Sequence, residues 1–241
     1  NTAVGYLAGG SVTTGDSNTL IGGLAGDALT TGTDNVAIGK DALTSDTLGS
    51  KTVAIGKNTL EAQNFTTATD ANNVAIGDSA GQALTTGVNN TLIGALAGDA
   101  ITDADYNVAV GSGALTADTL GSRSTALGFN TLASQNFTTA TTSYNTAVGF
   151  GAGGNITTGD SNTLIGSLAG DALSTGNSNV AMGLNALGSD TKGDRNVALG
   201  MAALTAQNFT TQTDAYNVAV GYTAGAAVTT GTNNTLIGGL A

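Results

Sequence analysis

Apolar and polar positions along this chain recur in a five-residue unit: Asn, then Val or Thr, then Ala or Leu, then a large aliphatic residue, then Gly. Asn18-Thr19-Leu20-Ile21-Gly22 and Asn35-Val36-Ala37-Ile38-Gly39 are typical copies. The unit opens at 1, 18, 35, 52, 73, 90, 107, 124, 145, 162, 179, 196, 217 and 234. Successive openings are separated by 17, 17, 17 and 21 residues, and that set repeats as a 72-residue super-repeat. Self-similarity at a fixed short period marks an array of stacked units, each too small to bury its apolar face alone. A β-branched run ending in Gly predicts a short strand followed by a turn. A helix is excluded because Gly or Asn interrupts each apolar run before three turns could form. The expectation is an all-β, parallel β-solenoid (a β-roll) of about fourteen coils filling residues 1–241. Its super-repeats are 1–72, 73–144 and 145–216, with a partial copy at 217–241.

Alternation along a strand sends positions two and four of the unit to one face and position three to the other. The large aliphatic at position four (Val4, Ile21, Ile38, Ile55) is expected to fill the coil interior, leaving position three outside. Position three is nevertheless Ala or Leu throughout. A strand apolar on both faces is covered on both, so a neighbouring chain is expected against position three. On this assignment Ile38→Asp disrupts assembly by burying an unpaired charge. Segments such as Ala28-Leu29-Thr30-Thr31 and Ala83-Leu84-Thr85-Thr86 are expected to form a second strand per coil, closed by polar turns such as Gly32-Thr33-Asp34. Position ten holds Gly10, Asp27, Thr44 and Glu61, which rules out a three-sided helix with an aliphatic every sixth residue.

The 21-residue coils carry the phrase Gln63-Asn64-Phe65-Thr66-Thr67, repeated at 135–139 and 207–211. Insertions in such arrays map to one face, often the binding face. Phe65, Phe137 and Phe209, with Thr67, Thr139 and Thr211, are therefore a candidate surface contact ridge. The competing expectation is that each ring plugs the gap under its own longer loop. Charges keep the long period too: Lys51, Arg123 and Arg195 lie 72 apart, each five residues after Asp46, Asp118 or Asp190. These are candidate inter-chain ion pairs, set against the ordinary reading as solvated surface pairs of little energetic value.

Composition narrows the function classes. With 6 basic and 17 acidic residues the net charge is −11, which repels nucleic acid and anionic membranes. The chain has no His and no Cys, so His- or thiol-based catalysis, His metal sites and disulfides are all excluded. Acidic residues lie in repeating rows, whereas an active site is a singular feature. The expectation is a protein that is not an enzyme and uses no cofactor or metal. No apolar run approaches the ~20 residues of a membrane span. The chain opens and closes within the repeat pattern, which reads as a segment of a longer array.

The phrase Asn90-Thr91-Leu92-Ile93-Gly94-Ala95-Leu96-Ala97-Gly98 and its thirteen relatives resemble the head repeats of trimeric autotransporter adhesins. They are equally similar to repeats of phage tail-fibre-like proteins. The resemblance covers the whole chain, with coils longer than the usual adhesin head repeat. It implies a left-handed β-roll, three identical chains side by side, and a place on a cell surface or virion. The function it implies is a structural or adhesive fibre segment that spaces or presents a binding tip, with a host glycan or receptor as partner. The alternative is a carbohydrate- or ice-binding module using a Thr-rich face.

Overall fold

The computed structural model describes residues 1–241 and contains strands and turns but no helix. Fourteen three-residue strands, from Thr2–Val4, Thr19–Ile21 and Val36–Ile38 through to Thr235–Ile237, form one parallel sheet in chain order. Every strand pairs in register with its counterpart one coil away: Thr19 with Val36, Leu20 with Ala37, Ile21 with Ile38. The longer coils do not disturb this, since Val53 pairs with Val74 across the 21-residue step. The chain is thus a parallel β-solenoid of fourteen turns, about 65 Å long at the ~4.8 Å spacing of paired strands.

The faces of the strand are the reverse of the expectation. Position three is the interior: Leu20, Ala37, Ala54, Ala75 and Leu92 are fully or almost fully buried. Positions two and four look outward, as at Val36 and Ile38, which are half-buried. The physical reason is the width of the coil. Position one lies on the same side as position three, and its Asn is buried in the coils that have neighbours on both sides. Beside that Asn the coil interior also holds large side chains from the opposite wall, such as Leu29, Leu84 and Ile101, and position three fills what is left with Ala or Leu.

Core volume is shared among three positions. Where position three is Leu, position nine is Gly; a Cβ on Gly26 would sit 2.8 Å from Leu20 Cδ2. Where position three is Ala, as at Ala37 and Ala54, Leu43 and Leu60 fill the space from position nine in the third and fourth coils. Thirty-four such buried side chains form one continuous core along the axis.

The wall opposite the sheet is built of stacked turns. Leu29 and Leu84 are buried as a second strand would have required, but their segments are turns. Only three two-residue pairs exist there, such as Gly49–Ser50 with Thr69–Asp70, each beside an enlarged coil. Tight turning comes from left-handed backbone at Leu24 (φ 60), Leu43 (φ 54) and Asp34 (φ 59). Non-glycine residues tolerate this only when their surroundings impose it. Hydrogen bonds between coils impose it, as from Leu24 N–H to the Tyr6 carbonyl at 2.8 Å. Of 143 backbone hydrogen bonds, 29 lie within the strands and the other 114 involve turns, loops or strand ends. The Gly closing each strand is obligatory: Gly94 has φ +132, and a Cβ there would lie 2.6 Å from the Gly111 carbonyl.

Candidate functional site

The Asn that opens each five-residue unit, to which the sequence pattern gave no role, is buried and fully hydrogen-bonded inside the coil. Asn18, Asn35, Asn73, Asn90, Asn107 and their relatives stack inside the coil as a ladder. Each side-chain carbonyl accepts the backbone N–H of the next coil's first residue, as from Asn35 N–H to Asn18 Oδ1 at 3.0 Å. Except at Asn196 and Asn234, each amide donates to the carbonyl fourteen residues on, as from Asn35 Nδ2 to the Gly49 carbonyl at 2.9 Å. Buried polar groups must be paired, and one amide here satisfies two backbone groups.

The ladder is modified at the enlarged coils, the first two of which have Thr52 and Ser124 in place of Asn while the third keeps Asn196. Gln63 fills in, donating to Asp46 Oδ2 at 2.7 Å and accepting from Asn73 Nδ2 at 3.0 Å. Asp46 Oδ1 accepts the Gly49 and Phe65 N–H groups at 3.0 and 3.2 Å. The other copies repeat this with Asp118 and Gln135, and with Asp190 and Gln207. Burial pushes the Asp46 carboxyl above its ordinary range, while these donors hold it down.

This arrangement decides most of the predicted site residues. Asp46, Asp118 and Asp190 are buried in the coil, where they point at Gln and backbone donors and do not pair with Lys51, Arg123 or Arg195. Four residues separate the two members of each pair, the last two in a short strand such as Gly49–Ser50, and Lys51 (φ 60) faces solvent at the corner. Lys51 instead pairs with Asp70 at 2.5 Å, and Arg195 pairs with Asp214. The second copy has Thr142 at the matching place, and Arg123 lies 5.1 Å from the Tyr106 ring centroid.

Phe65, Phe137 and Phe209 are no ridge; they are 5–6 % exposed. The Phe137 ring packs so closely on Gly121 that a Cβ there would meet it at 2.7 Å. Each ring roofs the Asp–Gln cluster beneath its own loop. Thr67, Thr139 and Thr211 do remain exposed at the loop tips, where their carbonyls accept the hydroxyls of Thr69, Thr141 and Thr213.

Two surface features were not foreseen. One is the outward sheet face: position four presents Val4, Ile21, Ile38, Ile55 and on to Ile237, one aliphatic per coil. Met182 is 40 % exposed in mid-array and Ile237 71 % at the end. The other is the sixth position of each coil, which holds Tyr6, Phe129, Phe150, Leu184, Met201 and Tyr222 in six coils and small or charged residues such as Lys40, Lys57 and Asp78 in the rest. Phe129 and Phe150 stack with ring centroids 5.7 Å apart. Beside Phe150 lies the one groove of ligand size, about 330 Å³, lined also by Asn130, Ser134, Asn155, Leu168 and Asp171. No three acidic side chains converge as a metal site would require, and no helix is long and apolar enough to cross a membrane.

Fold and surface together define the class: a parallel β-solenoid repeat protein with a buried Asn ladder and an apolar outer sheet face. No protein-family model matches the chain, and no curated protein or solved structure matches it.

Proposed function

We propose that the chain is a structural segment of an extracellular or virion fibre, in which three identical chains pack through their outward sheet faces. The observation that carries this reading is the unbroken aliphatic row at position four, from Val4 to Ile237. Contiguous exposed apolar surface of this length marks an interface. A partner that meets it over about 65 Å must repeat at the same ~4.8 Å step, and a second copy of this chain does so by construction. The row is one strand wide, so three such stripes close around an axis and leave none exposed. Three parallel chains side by side are also what the resemblance to adhesin and tail-fibre repeats implies. In this reading the segment is a spacer of fixed length that holds a binding tip away from its anchor.

Sedimentation equilibrium of the 241-residue chain tests this. The expected mass is three times the 23.2 kDa of one chain. Ile38→Asp is expected to release folded monomers with unchanged far-UV circular dichroism, because Ile38 faces outward. A well-folded monomer of the unaltered chain at tens of micromolar would refute the trimer and favour a binding module.

A further inference from the structure

We propose that the two edges of the outward sheet pair between neighbouring chains of the trimer, coil against matching coil. The residue before each opening Asn on one chain meets the sixth-position residue of the next chain. This pairing rests on the trimer proposed above and names the contacts that fix its register.

The two positions flank the same five-residue unit and cannot touch within one chain. Tyr144 and Phe150, for example, lie six residues apart across an extended strand, a span of about 20 Å. Their sizes nevertheless follow each other. In the eighth and ninth coils Arg123 and Tyr144 stand at one edge, with Phe129 and Phe150 at the other. In the twelfth and thirteenth, Arg195 and Tyr216 accompany Met201 and Tyr222. Small residues also go together, Ser161 with Ser167 and Ser17 with Gly23, while Asp34 goes with the opposite charge of Lys40. Tyr106 and Leu184 have small counterparts in their own coils, but each has a large residue one coil on at the facing edge, Phe129 and Arg195. Lys51 goes with Lys57, and its charge is met in its own chain by Asp70. Positions that vary together mark spatial contact, and a second copy of the chain brings these two edges together.

The width of the sheet suits such a contact. Packed sheets stand ~10 Å apart, so three around one axis lie about 5 Å from it and outline a triangle with sides of about 17 Å. A five-residue strand is also about 17 Å long. Each edge therefore reaches a corner of the triangle, where it meets the other edge of the next chain, and head-to-tail contacts of this kind close into a ring. The edge side chains are free to engage. Tyr144 is 57 % exposed and Phe150 56 %, with left-handed backbone (φ 50) turning Tyr144 at the corner. Arg123 makes no ion pair in its own chain and lies over the Tyr106 ring. Phe129 of the next chain offers that guanidinium a second ring.

Site-directed cross-linking of the whole chain tests the pairing, because the chain has no Cys of its own. The double variant Ser161→Cys, Ser167→Cys is nearly isosteric and sits at a coil where small edges meet. Treatment with bismaleimidoethane, whose arm is far shorter than the strand, is expected to give a covalent trimer of three times 23.2 kDa on a denaturing gel. Neither single variant is expected to cross-link. Ser161→Cys with Ser112→Cys sets the second thiol three coils away, about 14 Å along the axis, and is expected to run as a monomer. Tyr144→Cys with Phe150→Cys repeats the test at an aromatic coil. Sedimentation equilibrium of the unlinked variants separates the two readings. A trimer that the Ser161→Cys, Ser167→Cys pair does not link overturns the edge pairing and leaves the trimer standing, whereas a monomer overturns both. Cross-linking by Ser161→Cys alone, or by the three-coil pair as strongly as by the matched one, also overturns the pairing of coil with matching coil.

Discussion

Replacing Asn107 with Ala isolates what the internal ladder contributes. Asn107 Oδ1 accepts the Ser124 N–H at 2.8 Å, and Nδ2 donates to the Gly121 carbonyl at 2.9 Å. The residue is fully buried in mid-array, with coils on both sides to exclude water. Ala removes both partners at once and leaves a buried donor and a buried acceptor unpaired. Each costs about 1–3 kcal/mol, so the loss is about 2–6 kcal/mol. That is a large share of the roughly 5–15 kcal/mol that holds a typical domain. The comparison is Asn234→Ala in the last coil, which gives up one bond, Nδ2 to Asn217 Oδ1 at 2.9 Å, at a half-buried site. Its cost is about 0.5–1.5 kcal/mol. Urea unfolding followed by far-UV circular dichroism measures both. Because stability in such arrays sums over coils and their interfaces, the Asn107 variant is also expected to unfold in a broader transition. A loss below about 1 kcal/mol, or no greater than that of Asn234→Ala, would refute the ladder as a principal source of stability.

Three further outcomes are expected. Gly94→Ala forces a side chain into φ +132 against the Gly111 carbonyl and should cost at least about 2 kcal/mol in urea unfolding. Gly23→Ala meets nothing within 4 Å and should change stability by less than about 0.5 kcal/mol. Burial raises the Asp171 carboxyl above its ordinary range, so its stabilising contribution is complete below that range and is lost as pH rises through the raised value. Asp171→Asn is therefore expected to raise Tm at pH 7, with the gap closing once the pH falls below the ordinary carboxylate range; an equal gap at both would refute the assignment.

The phase of the Gly-terminated strand was legible because Gly22, Gly39 and Gly56 mark every coil at one place, and backbone sterics leave no alternative there. Which side of the strand faced inward was not legible from position three and four alone, since Leu20 and Ile21 are both apolar. Asn18 carried the missing signal: an Asn kept two residues before the core position shares its face and must be paired inside. Asp46 was misplaced for a related reason. It occupies the twelfth position of its coil, where Val12 and Leu29 are aliphatic, and Gln63 holds the same place one coil later. An acid and an amide stacked at a core position read as a buried pair, once the position is counted from the coil and not from the nearest Lys. The Phe150 groove was hidden because it is made by small residues, Ala133, Gly151 and Gly154, whose effect appears only when three coils lie side by side.

The in-register sheet also sets the mechanics of the molecule. Hydrogen bonds between coils run along the rod axis, so tension along that axis loads them coil by coil and peels them from an end. A peeled coil gives up one ~4.8 Å step. It releases 17 residues of chain, about 58 Å when extended. Each coil therefore acts as a yield element that lengthens more than tenfold at a limited force, protecting the coils behind it from a sudden pull.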